Sequence, residues 1–165
     1  MRKLSALLIV FSVAIAAVAQ AVVAQPPPGK GKNVVASATG SGHVTLNNAK
    51  RTFAFSAREF ANGMDKGQAQ LRERGATGFR VHVRVTCLNV VGNVAHMTGV
   101  VSRIRNEAPP LRVRNSKVAF SVQDNGQTGD LVSPMTFHGD VPALSCATPL
   151  APTLVVERGQ VKVRP

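Results

Sequence analysis

The chain has 165 residues, with 20 Lys and Arg against 8 Asp and Glu, a formal net charge of +12, and neither Trp nor Tyr. This length fits a single domain that buries a core of its own. The missing indole and phenol rings argue against a sugar-binding platform and against single-stranded nucleic acid, which needs exposed stacking rings.

Arg2 and Lys3 precede an almost unbroken apolar run from Leu4 to Val18, and the small residues of Ala17–Ala19 and Val22–Ala24 offer cleavage sites. This pattern predicts a secretory signal peptide over residues 1–24, cut between Ala24 and Gln25. An uncleaved anchor is the alternative, but the run is short for a span of about 20 apolar residues. With no cysteine near the cut, a lipid anchor is not expected, and the C-terminal Gln160–Pro165 carries no hydrophobic tail. The expected product is secreted, periplasmic or extracellular, and has no membrane span. Residues 25–40 read as a linker, because the Pro-Pro-Pro-Gly-Lys-Gly-Lys stretch at 26–32 is stiffened by Pro, loosened by Gly and has nothing to pack. The folded domain is then expected over residues 41–165.

Short apolar–polar alternations follow in order. His43–Leu46 is a first strand closed by the turn Asn47-Asn48, and Arg51–Ala57 a second, with Phe53 and Phe55 on one face. The stretch from Ala57 to Met64 is the one place where a helical turn fits. Gln68–Glu73 reads as a third strand with Ala69 and Leu71 inward. The clearest unit comes next: Val81, Val83, Val85 and Cys87 alternate with Arg80, His82, Arg84 and Thr86, which is the period of a half-buried strand. Gly92-Asn93 is a two-residue hairpin turn, and Val94–Arg105 is the return strand. The alternation slips near Leu88, marking a bulge, and Cys87 is expected on the inner phase.

Pro109 and Pro110 interrupt pairing. Leu111–Arg114 and Lys117–Gln123 are further strands, the second with Val118, Phe120 and Val122 inward. Asp124-Asn125-Gly126 is a turn, Leu131–Phe137 a strand weakened by Pro134, and Leu154–Glu157 with Gln160–Val163 a terminal hairpin around Arg158-Gly159. Eight to ten short strands predict a single antiparallel all-β domain, a β-sandwich or a barrel. Cys87 and Cys146 are the only cysteines. In an oxidising compartment they are expected to pair; a reactive thiol or a zinc site fits less well, because no His lies at ligand spacing.

Several segments recur in one order: Gly42-His43-Val44, Arg51–Phe55, Gly67–Leu71, Cys87–Ala95 with Met97 and Gly99, Phe120–Gly126, and Gly159–Val163. Through them the chain resembles the post-COAP type of small secreted bacterial domain, over nearly all of the mature sequence. The segments Val90–Ala95 and Val122–Gly126 are the most specific. The resemblance implies a β-rich extracellular domain and no activity. Relatives often continue Asp-Asn-Gly with Glu-Pro-Gly, whereas this chain has Gln127-Thr128-Gly129-Asp130, which weakens any acidic cluster there.

Catalytic motifs are missing: there is no Gly-x-Ser-x-Gly elbow, no His-Glu-x-x-His and no phosphate-cradling Gly-rich loop. A glycosidase needs two carboxylates facing one bond, and the spacing of the acidic residues supports no such pair. No cofactor is implied. Asp124, Asn125 and Asp130 are weak calcium candidates, since they ring a Gly-containing loop with oxygen ligands; plain turn chemistry accounts for them as well. His43, His82, His96 and His138 share no ligand spacing and are expected to be exposed or locally hydrogen-bonded. The best candidate is electrostatic. Arg80, His82 and Arg84 are expected to face Arg103 and Arg105 across the hairpin, with Arg112 and Arg114 continuing at the same period. Such a face suits an anion through bidentate guanidinium forks, although a solvated outer face is the simpler account. The combined expectation is a secreted, disulfide-bridged, non-catalytic binding or structural module. The alternatives are a protein that binds anionic envelope polymers through its arginine face, with no specific nucleic acid, and a hydrolase whose site is hidden.

Overall fold

The computed structural model describes residues 33–75, 78–147 and 149–165. The leader at 1–24 and the Pro-rich stretch at 25–32 lie outside them. Ten strands appear among the described residues: β1 (Val34–Leu46), β2 (Ala49–Phe60), β3 (Asp65–Glu73), β4 (Arg80–Val91), β5 (Val94–Arg105), β6 (Lys117–Gln123), β7 (Leu131–Val132), β8 (Thr136–Phe137), β9 (Leu154–Val155) and β10 (Arg158–Arg164). All pair antiparallel in a single sheet of order β10-β1-β2-β3-β4-β5-β6-β7-β9, with β8 also on β6. The fold is therefore all-β and barrel-like. It is not a two-sheet sandwich, because every strand among the described residues belongs to this one sheet.

Curling brings distant strands together. Phe55 on β2 meets Phe120 on β6 edge-to-face, with ring centroids 6.1 Å apart, although three strands separate them in the sheet order. Around this contact the inward residues of β2 to β6 form one buried cluster that includes Leu71, Val81, Val83, Val85 and Met97. Gly40 on β1 lies opposite Phe55, and a Cβ there would come within 2.8 Å of the ring. The missing side chain makes room for the aromatic. Turn chemistry shapes the hairpins: Asn47 and Asn48 both hold positive φ, as does Gly92, which Asn and Gly tolerate best.

Five expectations need correction. Strand β1 starts at Val34, so residues 34–40, assigned above to the linker, belong to the sheet: they pair with β2, and from Ser37 onward also with β10; their small residues alternate without a strong apolar signal. Residues 57–60 continue β2, and the one helix among the described residues is a short 3-10 turn at Gly126–Thr128. Leu111–Arg114 is not a strand; after Pro109-Pro110 only a single Ala108–Arg112 bridge forms. The terminal hairpin is also not made. Strand β9 pairs with β7 and β10 with β1; between them Val156 N donates to Asp130 O and Glu157 N to His43 O, so the chain runs on from one edge of the sheet to the other. Gly159 serves that approach, since a Cβ there would strike the Ser41 backbone.

The fifth correction concerns the bulge. The β4–β5 register slips between Val85 and Cys87, at Thr86, two residues before the position read from the alternation. The slip turns Leu88 into the core and sends Cys87 to the outer face. Cys87 pairs with Cys146 there, with Cα atoms 6.0 Å apart. The bridge pins the segment around Cys146 over the outside of β4 and β5, where Thr98 Oγ1 donates to Leu144 O (3.2 Å) and Asn89 Nδ2 to Cys146 O (3.3 Å).

Candidate functional site

Strand register places the cations of the outer face in rows. Arg72 on β3, Arg80 on β4 and Arg105 on β5 are direct neighbours. In the next row Gln70, His82 and Arg103 align, and one step further Gln68 faces Arg84. Arg72, Arg80, Arg84, Arg103 and Arg105 are exposed and His82 is half-buried. A second bulge at Ser102 keeps Arg103 and Arg105 on this face, and its hydroxyl donates to His82 O at 3.1 Å. The face continues past the hairpin: Arg58 pairs with Lys66, while Lys162 and Arg164 of β10 lie opposite Thr39 and Ser37 of β1. Between these groups the floor is neutral and polar, with Ser56, Gln68 and Gln70 lining an open groove of 810 Å³ that reaches His82, Arg84 and Arg103.

No outward-facing position in these rows is acidic. The carboxylates are engaged elsewhere: Glu73 points the other way and pairs with Arg51 at 2.8 Å, and Asp140 pairs with Lys117 at 3.1 Å. These are the two ion pairs among the described residues, so the arginines of the face are uncompensated. In-register like charges repel. His82 feels the same field: burial, then the guanidinia of Arg103 and Arg80, lowers its pKa from the ordinary 6.5.

Arg112 and Arg114 do not extend the rows. The Arg112 guanidinium stacks 4.0 Å from the centroid of buried Phe79, with Arg51 at 5.8 Å from the same ring, and Arg114 is exposed on the loop before β6. Sequence reasoning also left out Arg72, Arg58, Lys66, Lys162 and Arg164. The signal for Arg72 and Lys66 was present, since both alternate against inward Leu71 and Ala69.

The weak calcium candidates have a different occupation. Asp130 Oδ2 accepts from Val161 N at 2.6 Å and Oδ1 from Asn125 N at 2.9 Å. Asp124 Oδ2 accepts from Val163 N at 3.1 Å and Oδ1 from Gly126 N. Asn125 Nδ2 donates to Gly129 O. These carboxylates are oriented by N–H donors, which leaves them poorly arranged for a cation. No group of three or more His, Cys, Asp and Glu able to hold a metal occurs among the described residues.

A Ser–His contact does form: His96 Nδ1 lies 2.7 Å from Ser121 Oγ. Both are buried, and Ser121 Oγ also accepts from Leu150 N. Neither lines the outer groove or the 40 Å³ void in the barrel interior. Burial lowers the His96 pKa. His43 Nδ1 and Thr52 Oγ1 are 3.1 Å apart, and His138 Nε2 and Thr136 Oγ1 are 3.0 Å apart. Among the described residues no helix is long and apolar enough to cross a membrane.

Comparison with protein-family models, curated proteins and solved structures returned no match.

Proposed function

We propose that this chain is an exported, non-catalytic binding module that holds an anionic polymer across the outer face of its sheet. The observation that carries this reading is the set of in-register rows built from Arg72, Arg80, Arg105, His82 and Arg103, with no carboxylate in those rows. A sheet that keeps like charges adjacent lowers their repulsion by taking up counter-charge. The leader-like residues 1–24 and the Cys87–Cys146 disulfide support export, and an exported module would meet its polymer in the envelope or outside the cell. The motif likeness to post-COAP-type domains supports the same setting.

The test is retention on immobilised heparin. At roughly physiological salt, about 0.15 M, the folded protein is expected to stay bound, and Arg80→Gln/Arg84→Gln/Arg103→Gln/Arg105→Gln to elute. Elution of the unaltered protein below that salt concentration contradicts the reading.

A further inference from the structure

We propose that the arginine rows on β3, β4 and β5 form a site for the phosphate groups of a linear polymer, with His82 as the member of the site that takes up a proton when phosphate docks. This deepens the polymer-binding reading and rests on it.

The argument starts from residue type. On β3, β4 and β5 the full cations of these rows, Arg72, Arg80, Arg84, Arg103 and Arg105, are all arginine; the outward lysines, Lys50, Lys66, Lys117 and Lys162, lie on flanking strands or past the ends of the rows. Charge alone would be served equally well by lysine. The guanidinium adds a planar fork that closes on two oxygens at once. Neighbours in a row stand about 5 Å apart at Cβ, so two or three forks converge on one anion. One fork already saturates the two oxygens of a carboxylate, whereas a tetrahedral phosphate offers oxygens in several directions and can be shared. Phosphate oxygens are also more basic than those of a sulfate ester, which makes them better partners for an imidazole gaining a proton.

Extent points to a polymer. Arg80 and Arg84 are four residues apart on one strand, a reach of about 13 Å, and a groove of 810 Å³ runs from Arg84 and Arg103 across Gln68 and Gln70 to Ser56. A single phosphate fills one row and leaves the next uncompensated. The outward positions of β3, β4 and β5 carry no Phe, so neither base stacking nor insertion into a bilayer is provided for. Phe79, at the end of these rows, is buried.

His82 completes the site. Its neighbours are Arg80 and Arg84 on its own strand, Arg103 on β5 and neutral Gln70 on β3. Nothing acidic faces it, and burial, then the guanidinia of Arg103 and Arg80, holds its pKa below the ordinary 6.5. Phosphate between the rows reverses the local field, and the imidazole then binds a proton. By linkage, affinity rises as pH falls.

The experiment measures calorimetric binding of linear inorganic polyphosphate, polyglutamate and dextran sulfate at roughly 150 mM salt, for the wild type and for Arg72→Lys/Arg80→Lys/Arg105→Lys, which keeps the charge. All three side chains are exposed, and circular dichroism checks that the variant folds. The wild type is expected to bind polyphosphate about tenfold more tightly than either other polymer, and the lysine variant to lose that preference while keeping its polyglutamate affinity. The His82 imidazole, followed by NMR, should titrate higher with polyphosphate bound, and His82→Gln should flatten the gain in affinity from about pH 7.5 to about 6. The proposal is overturned if the lysine variant keeps the preference, if dextran sulfate or phosphatidylglycerol vesicles bind the wild type as tightly as polyphosphate, or if His82 does not shift. Each of these results leaves the broader polymer-binding reading standing. Failure of every polymer to bind the wild type at this salt overturns both.

Discussion

The Asp130 carboxylate stands where a neighbouring strand would otherwise be, accepting a hydrogen bond from the Val161 amide at 2.6 Å. Strand β10 gives one edge to β1, and its other edge faces the 124–130 turn, where Asp124 accepts from Val163 N in the same way. A sheet edge left open is a template for another chain. Here two side-chain acceptors satisfy the edge and close the seam of the half-barrel.

Removing that acceptor should be costly. Asp130 is buried and also accepts from Asn125 N, so Asp130→Ala strands two donors. Each unsatisfied buried group costs about 1–3 kcal/mol. The loss in urea-denaturation free energy is expected to be about 2–4 kcal/mol, with Asp130→Asn recovering part of it through its remaining carbonyl. A variant as stable as the parent would show that the seam is held by other contacts.

The Cys87–Cys146 bridge closes a loop spanning 59 residues. In the chain-entropy treatment, losing it costs about 4 kcal/mol. Cys87→Ala/Cys146→Ala should lower the thermal midpoint, and faster amide exchange should appear first around Leu144 to Ala147, the segment that the bridge and the Thr98 and Asn89 contacts hold down. Thiol titration of the unfolded, unreduced protein should find no free sulfhydryl.

The void left at Gly40 is matched to Phe55. Gly40→Ala should destabilise by about 1–3 kcal/mol through overpacking. Adding Phe55→Leu, which cuts back the opposing ring, should recover part of that loss. Simple additivity of the two changes would separate the sites.

Stability should fall in mild acid. His82 and His96 both titrate below their ordinary 6.5 in the folded chain. Between that value and the lowered ones the unfolded chain binds more protons, so stability is full above about pH 6.5 and declines as pH falls through this window. The urea midpoint is expected to drop from pH 7.5 to pH 5.5, and His82→Gln/His96→Gln to shrink the drop. A drop of the same size in the double variant would assign it to carboxylates instead.

Much of the fold was legible because alternation reports faces. Val81, Val83 and Val85 against Arg80, His82 and Arg84 located β4 and its polar face, and Gly92-Asn93 located the turn to β5. Alternation does not report neighbours, so the separation of β9 from β10 and the meeting of Phe55 with Phe120 were beyond its reach. It also misleads where loops mimic it: Leu111, Arg112, Val113 and Arg114 have the right period, but two prolines precede them and Arg112 is taken up by Phe79. The bulge at Thr86 shows the finest limit. One extra residue reverses inside and outside, and the apolar character of both Cys87 and Leu88 hides where it happens. The arginine rows were partly visible, whereas the role of Asp124 and Asp130 was not, since a turn and a sheet seam use the same residue types.

Position, rather than net charge, should govern binding. Arg103→Gln and Arg114→Gln each remove one exposed positive charge, the first from the rows and the second from the loop before β6, outside the strand register. Equilibrium binding of fluorescent heparin at roughly 0.15 M salt is expected to weaken about threefold or more for Arg103→Gln, with a shallower salt dependence, and to stay unchanged for Arg114→Gln. Equal weakening by the two substitutions would contradict a defined face and reduce the interaction to diffuse attraction.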